Sequence, residues 1–442
     1  MTATAAARKP QNPGLQHVPF EEALGVWARI GLLNFGGPTA QIALMHRIIV
    51  EEKKWLDEPH YLSALSFCML LPGPEAMQLA TYVGWRLHGL KGGLAAGLLF
   101  VLPGAGVVLA LSMIYAAFGN VPIVEAVFLG IKAAVLVIVI EALLRIAKRA
   151  LKLPEHWAIA ALSFVAIFFF AVPFPLIVFS AALFGFMRAA MSSAPHPQSE
   201  VRVLVPFSET LRTIGVWLVI WWAPLLVLAA VFGREHVLSQ LSLFFSKLAV
   251  VTFGGAYAVL AYMAQDVVIR YGWLDAGAMM DGLGLAETTP GPLILVTEFV
   301  GYLSAYRHGG GPGLGMGLLG AFVALWATFA PCFLWIFAGA PYIEWITHQP
   351  RLKGALTAIT AAVVGVILNL AIWFALHVFF ARVMLIKLGP LQLWTPSLST
   401  LDWRVVVLSA LSAVLLLKQH WSIPWVLAVA STLALVIRFA GV

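Results

Sequence analysis

Charge is what this chain has least of. Only 11% of its 442 residues are Asp, Glu, Lys or Arg, about half the share of an ordinary soluble domain. That excludes a sizeable soluble domain, which needs a charged surface. Cysteine is nearly absent, and Cys68 and Cys332 both lie inside apolar stretches, which excludes a disulfide framework and a thiolate metal centre. The 11 histidines fall at no ligand spacing, and the carboxylates form no cluster with them. No metal and no cofactor is therefore expected. A polar loop with clustered acids or histidines is also missing. A membrane enzyme acting on lipid or a polyprenyl phosphate would need one, so the chain is not expected to be an enzyme. No basic run is long enough for a nucleic-acid patch, so nucleic acid is not an expected partner. The net charge of +7 reads instead as loops on the cytoplasmic side of a bilayer. Residues 1–19 contain Pro10, Pro13 and Pro19 and lack the apolar core of a signal peptide. They are expected to form a cytoplasmic tail.

What the chain has in abundance is apolar length. It is 61% hydrophobic with a mean hydropathy of +0.93. Apolar runs of about 20 residues recur, each long enough to cross a ~30 Å hydrocarbon core. The pattern predicts an all-α polytopic membrane protein embedded in the lipid bilayer. Thirteen transmembrane segments are expected, at about 21–45, 61–88, 93–118, 121–144, 156–171, 173–188, 211–232, 239–263, 276–305, 313–339, 352–380, 403–417 and 422–440.

The chain also repeats itself. Phe35-Gly36-Gly37 returns 218 residues later as Phe253-Gly254-Gly255. Trp55-Leu56-Asp57 returns as Trp273-Leu274-Asp275 and Pro72-Gly73-Pro74 as Pro290-Gly291-Pro292, in the same register. Beyond the glycine-rich insert at 309–313 the register becomes 228, matching Pro103 to Pro331 and Ala133-Ala134-Val135 to Ala361-Ala362-Val363. The expected organisation is a tail (1–19), a first repeat (20–190), a linker with one transmembrane segment (191–237) and a second repeat (238–442). Six crossings followed by a seventh make the second repeat start on the opposite side, which predicts an inverted-topology repeat. With the N-terminus inside, loops assigned to the cytoplasm carry roughly twice as many Lys and Arg residues as those outside, favouring a periplasmic C-terminus. The Trp-Leu-Asp triplets are expected to start interfacial turns, because Trp favours the headgroup level.

Pro-Gly-Pro inside an apolar segment is the strongest functional signal. One helix over 61–88 would be about 42 Å long, too long for the bilayer, and Pro72-Gly73-Pro74 supplies a break. Pro74 suits the first turn of a new half-helix, whose free N–H groups and dipole invite an anion. A packing kink is the alternative. The copy Thr289-Pro290-Gly291-Pro292 predicts a second half-helix approaching from the other face, so that both border one small-anion site near the midplane. Glu75 and Gln78 follow the first break: Glu75 suits the helix dipole or couples a proton, and Gln78 is placed to donate to the anion. The paired Asn34-Phe35-Gly36-Gly37 and Thr252-Phe253-Gly254-Gly255 add a second break and a polar side chain from each half, with close helix packing as the alternative. Two helix dipoles total about +1, so a divalent anion calls for cations as well. Arg29 and Lys247 are in register, and Lys132 lies mid-segment. Snorkelling, or a pairing of Lys132 with Glu125, is the alternative for them.

The paired Phe-Gly-Gly and Pro-Gly-Pro motifs, with Pro38 after the first and Glu75-Ala76 after the other, resemble the chromate transporter family. The length resembles its long, two-domain ChrA-type members, and the likeness covers about residues 20–440. The resemblance implies chromate efflux across the bacterial inner membrane and chromate resistance, driven by the membrane potential or the proton gradient. Sulfate has the same tetrahedral, divalent form, so a sulfate or other oxyanion permease is the alternative. The second repeat has Ala256 for Pro38 and Leu293 for Glu75, so the halves need not act equally. The sequence leaves the oligomeric state open, a homodimer included.

Overall fold

The computed structural model describes residues 18–119, 121–192, 206–253, 256–310, 313–347 and 349–440. The first repeat opens with α1 (Phe20–Leu32) and α2 (Gly37–His46), the latter continued by a π-helical turn over Arg47–Glu52. Next come α3 (Glu58–Cys68) and α4 (Glu75–Phe118). His88 and Gly89 interrupt α4, with Gly89 at φ +62°, so it is two helices joined at a corner. α5 (Pro122–Ala150), α6 (Pro154–Phe170) and α7 (Phe174–Ser192) complete the repeat, and α8 (Phe207–Phe232) follows it.

The second repeat retraces this order. It comprises α9 (Val237–Val251), α10 (Ala256–Gln265) with its own π-turn Asp266–Arg270, α11 (Ala276–Thr288) and a 3-10 turn Leu293–Leu295. Then follow α12 (Val296–His308), α13 (Leu314–Gly339), the short α14 (Ile343–Thr347) and α15 (Pro350–Phe379). Strands β1 (Val383–Leu388) and β2 (Leu391–Pro396) lead to α16 (Trp403–Ala413), a π-turn Val414–Lys418 and α17 (Ile423–Phe439). Local rules repeat with the sequence. Asp57 accepts from the His60 N–H at the start of α3, and Asp275 accepts from the Ala278 N–H at the start of α11. Each is an aspartate N-cap worth about 1 kcal/mol. Trp55 and Trp273 are buried in the core, because Trp55 packs against Trp27 and Trp273 stacks on Tyr271.

The protein is a polytopic helical membrane protein. Among the described residues six helices are long and apolar enough to cross a bilayer: Glu75–Phe118, Pro122–Ala150, Phe174–Met191, Phe207–Phe232, Leu314–Thr347 and Pro350–Phe379. Of the thirteen expected segments, 21–45, 61–88, 239–263 and 276–305 are each two shorter helices meeting at a break. The all-α expectation has one exception, the antiparallel hairpin β1–β2, which falls where a loop was read. Its turn is Gly389-Pro390, with Gly389 at φ +62°, the conformation a tight two-residue hairpin favours.

The repeats interlock. α6 and α7 of the first pack on α15 of the second, while α16 and α17 of the second pack on α5 of the first. α5 and α15 therefore form the centre. The matched triplets Ala133-Ala134-Val135 and Ala361-Ala362-Val363 are fully or nearly buried in both. Close crossings use small residues, the usual device where water supplies no drive for helix association. A β-carbon on Gly301 would lie 2.5 Å from the Gly320 carbonyl oxygen, and one on Gly185 2.2 Å from that of Gly354. α8 stands at the periphery and turns Trp217 inward to stack on Phe333.

Candidate functional site

α3 stops at Cys68 and α4 starts at Glu75, leaving Pro72-Gly73-Pro74 between them. α11 stops at Thr288, leaving Pro290-Gly291-Pro292 before the turn at Leu293. Each of these gaps meets the break before Phe-Gly-Gly in the other repeat. The Gly73 N–H donates to the Thr252 carbonyl at 2.9 Å, and the Gly291 N–H donates to the Asn34 carbonyl at 2.7 Å. Gly73 matches Gly291 and Asn34 matches Thr252 in the 218 register, so the two bonds are the same bond made reciprocally. Such exchange is the mark of a two-fold relation.

Only glycine fits at the two centres. Gly73 has φ +121° and Gly291 φ +99°, which L side chains rarely adopt. A β-carbon on Gly73 would also lie 2.8 Å from Gln78 Nε2 and 3.0 Å from Cys332 Sγ. The following helix of each repeat closes the arrangement. Gly104, after Pro103, sits where a β-carbon would be 2.2 Å from the Pro290 carbonyl oxygen. Cys332, after Pro331, occupies the matching place beside Gly73.

The side chains at the gaps are unusually poor in partners. Asn34 is fully buried, and neither its Oδ1 nor its Nδ2 has a hydrogen-bond partner. Gln78, also fully buried, donates through Nε2 to the Pro72 carbonyl at 2.7 Å while its Oε1 is unpartnered. Leaving such groups unsatisfied costs about 1–3 kcal/mol each. Neither Pro74 before α4 nor Pro292 before the 3-10 turn provides a side-chain cap. The Asn34 amide is thus a free buried donor near helix starts that lack side-chain caps, a set suited to an oxyanion, whereas the free atom of Gln78 is an acceptor.

Most of the chain follows one family. It matches the chromate transporter family over residues 22–186 and 239–436. The chain belongs to the chromate transporter family. It is 31% identical over 341 residues to a chromate transport protein of Cupriavidus metallidurans, covering 77% of this chain and 78% of that one. It is 32% identical over 357 residues to a chromate transport protein of Pseudomonas aeruginosa, covering 79% of each. An uncharacterized transporter of Methanocaldococcus jannaschii is 27% identical over 350 residues, 79% of this chain and 83% of that one. No solved structure matches.

In this chromate transporter family member, the cations expected beside the gaps are engaged elsewhere. Arg29 is exposed and pairs with Glu52 at 3.4 Å. Lys247 is exposed with its ammonium 5.8 Å from the Tyr262 ring centre. Lys132 pairs at 3.3 Å with Asp281 and not with Glu125, and the other Asp281 oxygen accepts from the Tyr115 hydroxyl at 2.7 Å. The physical reason is that a charge in an apolar helix finds the nearest acid or the surface.

The other expected site residues divide by burial. Pro72, Gly73, Thr252, Thr289, Gly291 and Pro292 are buried, and Pro74, Glu75 and Pro290 are half-buried. Glu75 makes no ion pair among the described residues. Phe35 and Gly36 are exposed, with Gly36 and Gly37 both at positive φ. They turn the chain between α1 and α2, and only Asn34 of that run points inward. Gly254 and Gly255 lie outside the described residues. Sequence reasoning missed Gln41, whose Nε2 donates to the Gly291 carbonyl at 2.7 Å, and it missed Gly104. Gln41 has Val259 as its counterpart, so register carried no signal. Gly104 follows the matched Pro103 and was within reach of it.

Proposed function

We propose that this family member exports chromate across the bacterial inner membrane by alternating access and so confers chromate resistance. The observation that carries the reading is the reciprocal pair of bonds, Gly73 to Thr252 and Gly291 to Asn34. Each Pro-Gly-Pro gap is thereby joined to the Phe-Gly-Gly break of the other repeat, and the buried Asn34 amide beside the second gap is unpartnered. The anion sits there, held by the N–H groups at the starts of α4 and the Leu293 turn, by Asn34, by Gln78 once its Nε2 turns from the Pro72 carbonyl, and by the backbone around Thr252 and Thr289. Two helix ends contribute about +1 between them, and amide donors spread the remaining charge. The two-fold exchange, with the odd helix α8 between the repeats, supports an inverted-topology repeat with the site near the midplane. The N-terminus is then cytoplasmic and the C-terminus periplasmic. Opposed reporter fusions at the C-terminus are expected to read periplasmic, and a cytoplasmic reading would remove the inversion.

Secondary active export makes a simple prediction for cells. Those carrying the gene should grow at higher chromate and contain less chromium than cells lacking it. A rise in chromium content would instead identify an oxyanion importer, with sulfate the natural cargo, since every donor named here would serve either dianion. Asn34→Ala is expected to raise the half-saturation for chromate about tenfold, the loss of one hydrogen bond to a charged group. An unchanged value in vesicles would exclude Asn34 from the site.

A further inference from the structure

Among the described residues, Glu298 is a buried acid without a compensating charge. It is the third residue of α12, 1% exposed, and its Oε2 has no hydrogen-bond partner. It forms no ion pair among the described residues. Other buried acids are better served: Asp281 meets Lys132 and Tyr115, and Glu287 accepts from the Tyr257 hydroxyl at 2.8 Å.

Its chain neighbour Thr297 ties the first turn of α12 to the second gap. Thr297 Oγ1 donates to the Ile294 carbonyl, in the turn that directly follows Gly291 and Pro292. Thr328 Oγ1 reaches Thr297 Oγ1 at 3.5 Å, and the Thr328 carbonyl accepts from Cys332 Sγ. That thiol lies against Gly73. The first turn of α12 thus leans on the second gap and connects through α13 to the first.

No Lys, Arg or His among the described residues lies within ion-pair distance of this carboxyl, and the elements packed on α12 bring none to it. α13 carries no charged residue, and its Cys332 thiol bonds to a carbonyl. On α9, Lys247 is exposed over Tyr262. On α11, Asp281 and Glu287 have the partners just named. On α4, Glu75 sits in the first turn, while Arg86, His88 and Lys91 lie about three turns or more beyond it. On α12 itself, Arg307 pairs with Asp275 and His308 bonds to the Trp273 carbonyl.

An unpaired carboxylate in a membrane interior is expensive, and such residues commonly mark proton relays. A dianion arriving at the gaps would repel an ionised Glu298 and favour its neutral form. By linkage, a proton on Glu298 favours the anion by the same factor. We propose that Glu298 carries one proton with each bound anion, so that the dianion leaves the cell with a net charge of −1, driven by the inside-negative membrane potential and opposed by the acid-outside pH gradient. The proposal rests on the anion reading above. Glu298 acts here through charge and makes no contact with the anion.

The test uses purified full-length wild type and Glu298→Gln in vesicles, with chromate as the probe at alkaline pH, where it is a dianion. In the wild type, half-saturation should rise with pH, approaching about tenfold per unit for one linked proton. An acid-outside gradient at zero membrane potential should drive accumulation. In Glu298→Gln, which mimics the neutral acid, half-saturation should be flat with pH and the gradient should drive nothing. Chromate counterflow at equal pH should persist. Gradient-driven accumulation in Glu298→Gln at the wild-type level would overturn the proposal. So would loss of counterflow with an unchanged melting temperature, because Glu298 would then belong to the anion site. Absence of counterflow in the wild type would instead sink the anion reading itself, and this proposal with it.

Discussion

Gly104→Ala is expected to lower chromate flux by tenfold to a hundredfold, while Gly106→Ala leaves it within about twofold. The two glycines are two residues apart along α4 but meet different surroundings. A β-carbon at Gly106 would have nothing within 4 Å. At Gly104 it would stand 2.2 Å from the Pro290 carbonyl oxygen and 2.8 Å from Leu295 Cδ1. Leu295 can turn aside, but the carbonyl is backbone, so α4 or the gap must move by about 1 Å. A misplacement of that size at a positioning group costs on the order of a hundredfold in rate. The Gly291 N–H to Asn34 carbonyl bond, next to the contact, would be pulled with it. Flux in vesicles, normalised to inserted protein, measures the effect. Wild-type flux in Gly104→Ala would detach the second gap from transport.

Lys132→Ala is expected to destabilise the fold by roughly 3–5 kcal/mol, the usual cost of stranding one member of a buried pair. Asp281 has only 5% of its side chain exposed, against 23% for Lys132. Without the ammonium, the Tyr115 hydroxyl would be the one remaining partner of that carboxylate. The double variant Lys132→Met with Asp281→Leu should recover most of the loss, because it leaves no unpaired charge. Melting temperatures in detergent would show the single variant low and the double near wild type. If Lys132 served the anion, the signature would differ. The single variant would melt normally, and its half-saturation for chromate would rise. The structure favours the first outcome, since α5 spends this cation on α11.

The sequence carried much of the architecture because its signals are local. Apolar length marked the helices, and the 218 register marked the repeat. Proline and glycine marked where segments such as 61–88 split into α3 and α4. Those features act within a few residues of themselves, through φ restriction, a lost N–H or a need for lipid. The hairpin β1–β2 was hidden because its apolar residues, around Met384 and Trp394, alternate too briefly to stand apart from a membrane loop.

What the sequence by itself determined is therefore a helical membrane protein built twice, with a matched pair of gaps. Only the tertiary structure decided which break each gap meets. Gly73 bonds to Thr252 and Gly291 to Asn34 across the repeats, a pairing that no spacing along the chain encodes. It also decided the fate of the charges. Arg29, Lys247 and Lys132 stood in suggestive register, yet their partners Glu52, Tyr262 and Asp281 come from other elements. Glu298 had no distinguishing neighbour in sequence and emerged because the fold buries it without a counter-ion. The physical reason is common to all of these. Backbone breaks are set by local covalent geometry, whereas the pairing of charges and carbonyls depends on which elements the packed core brings together.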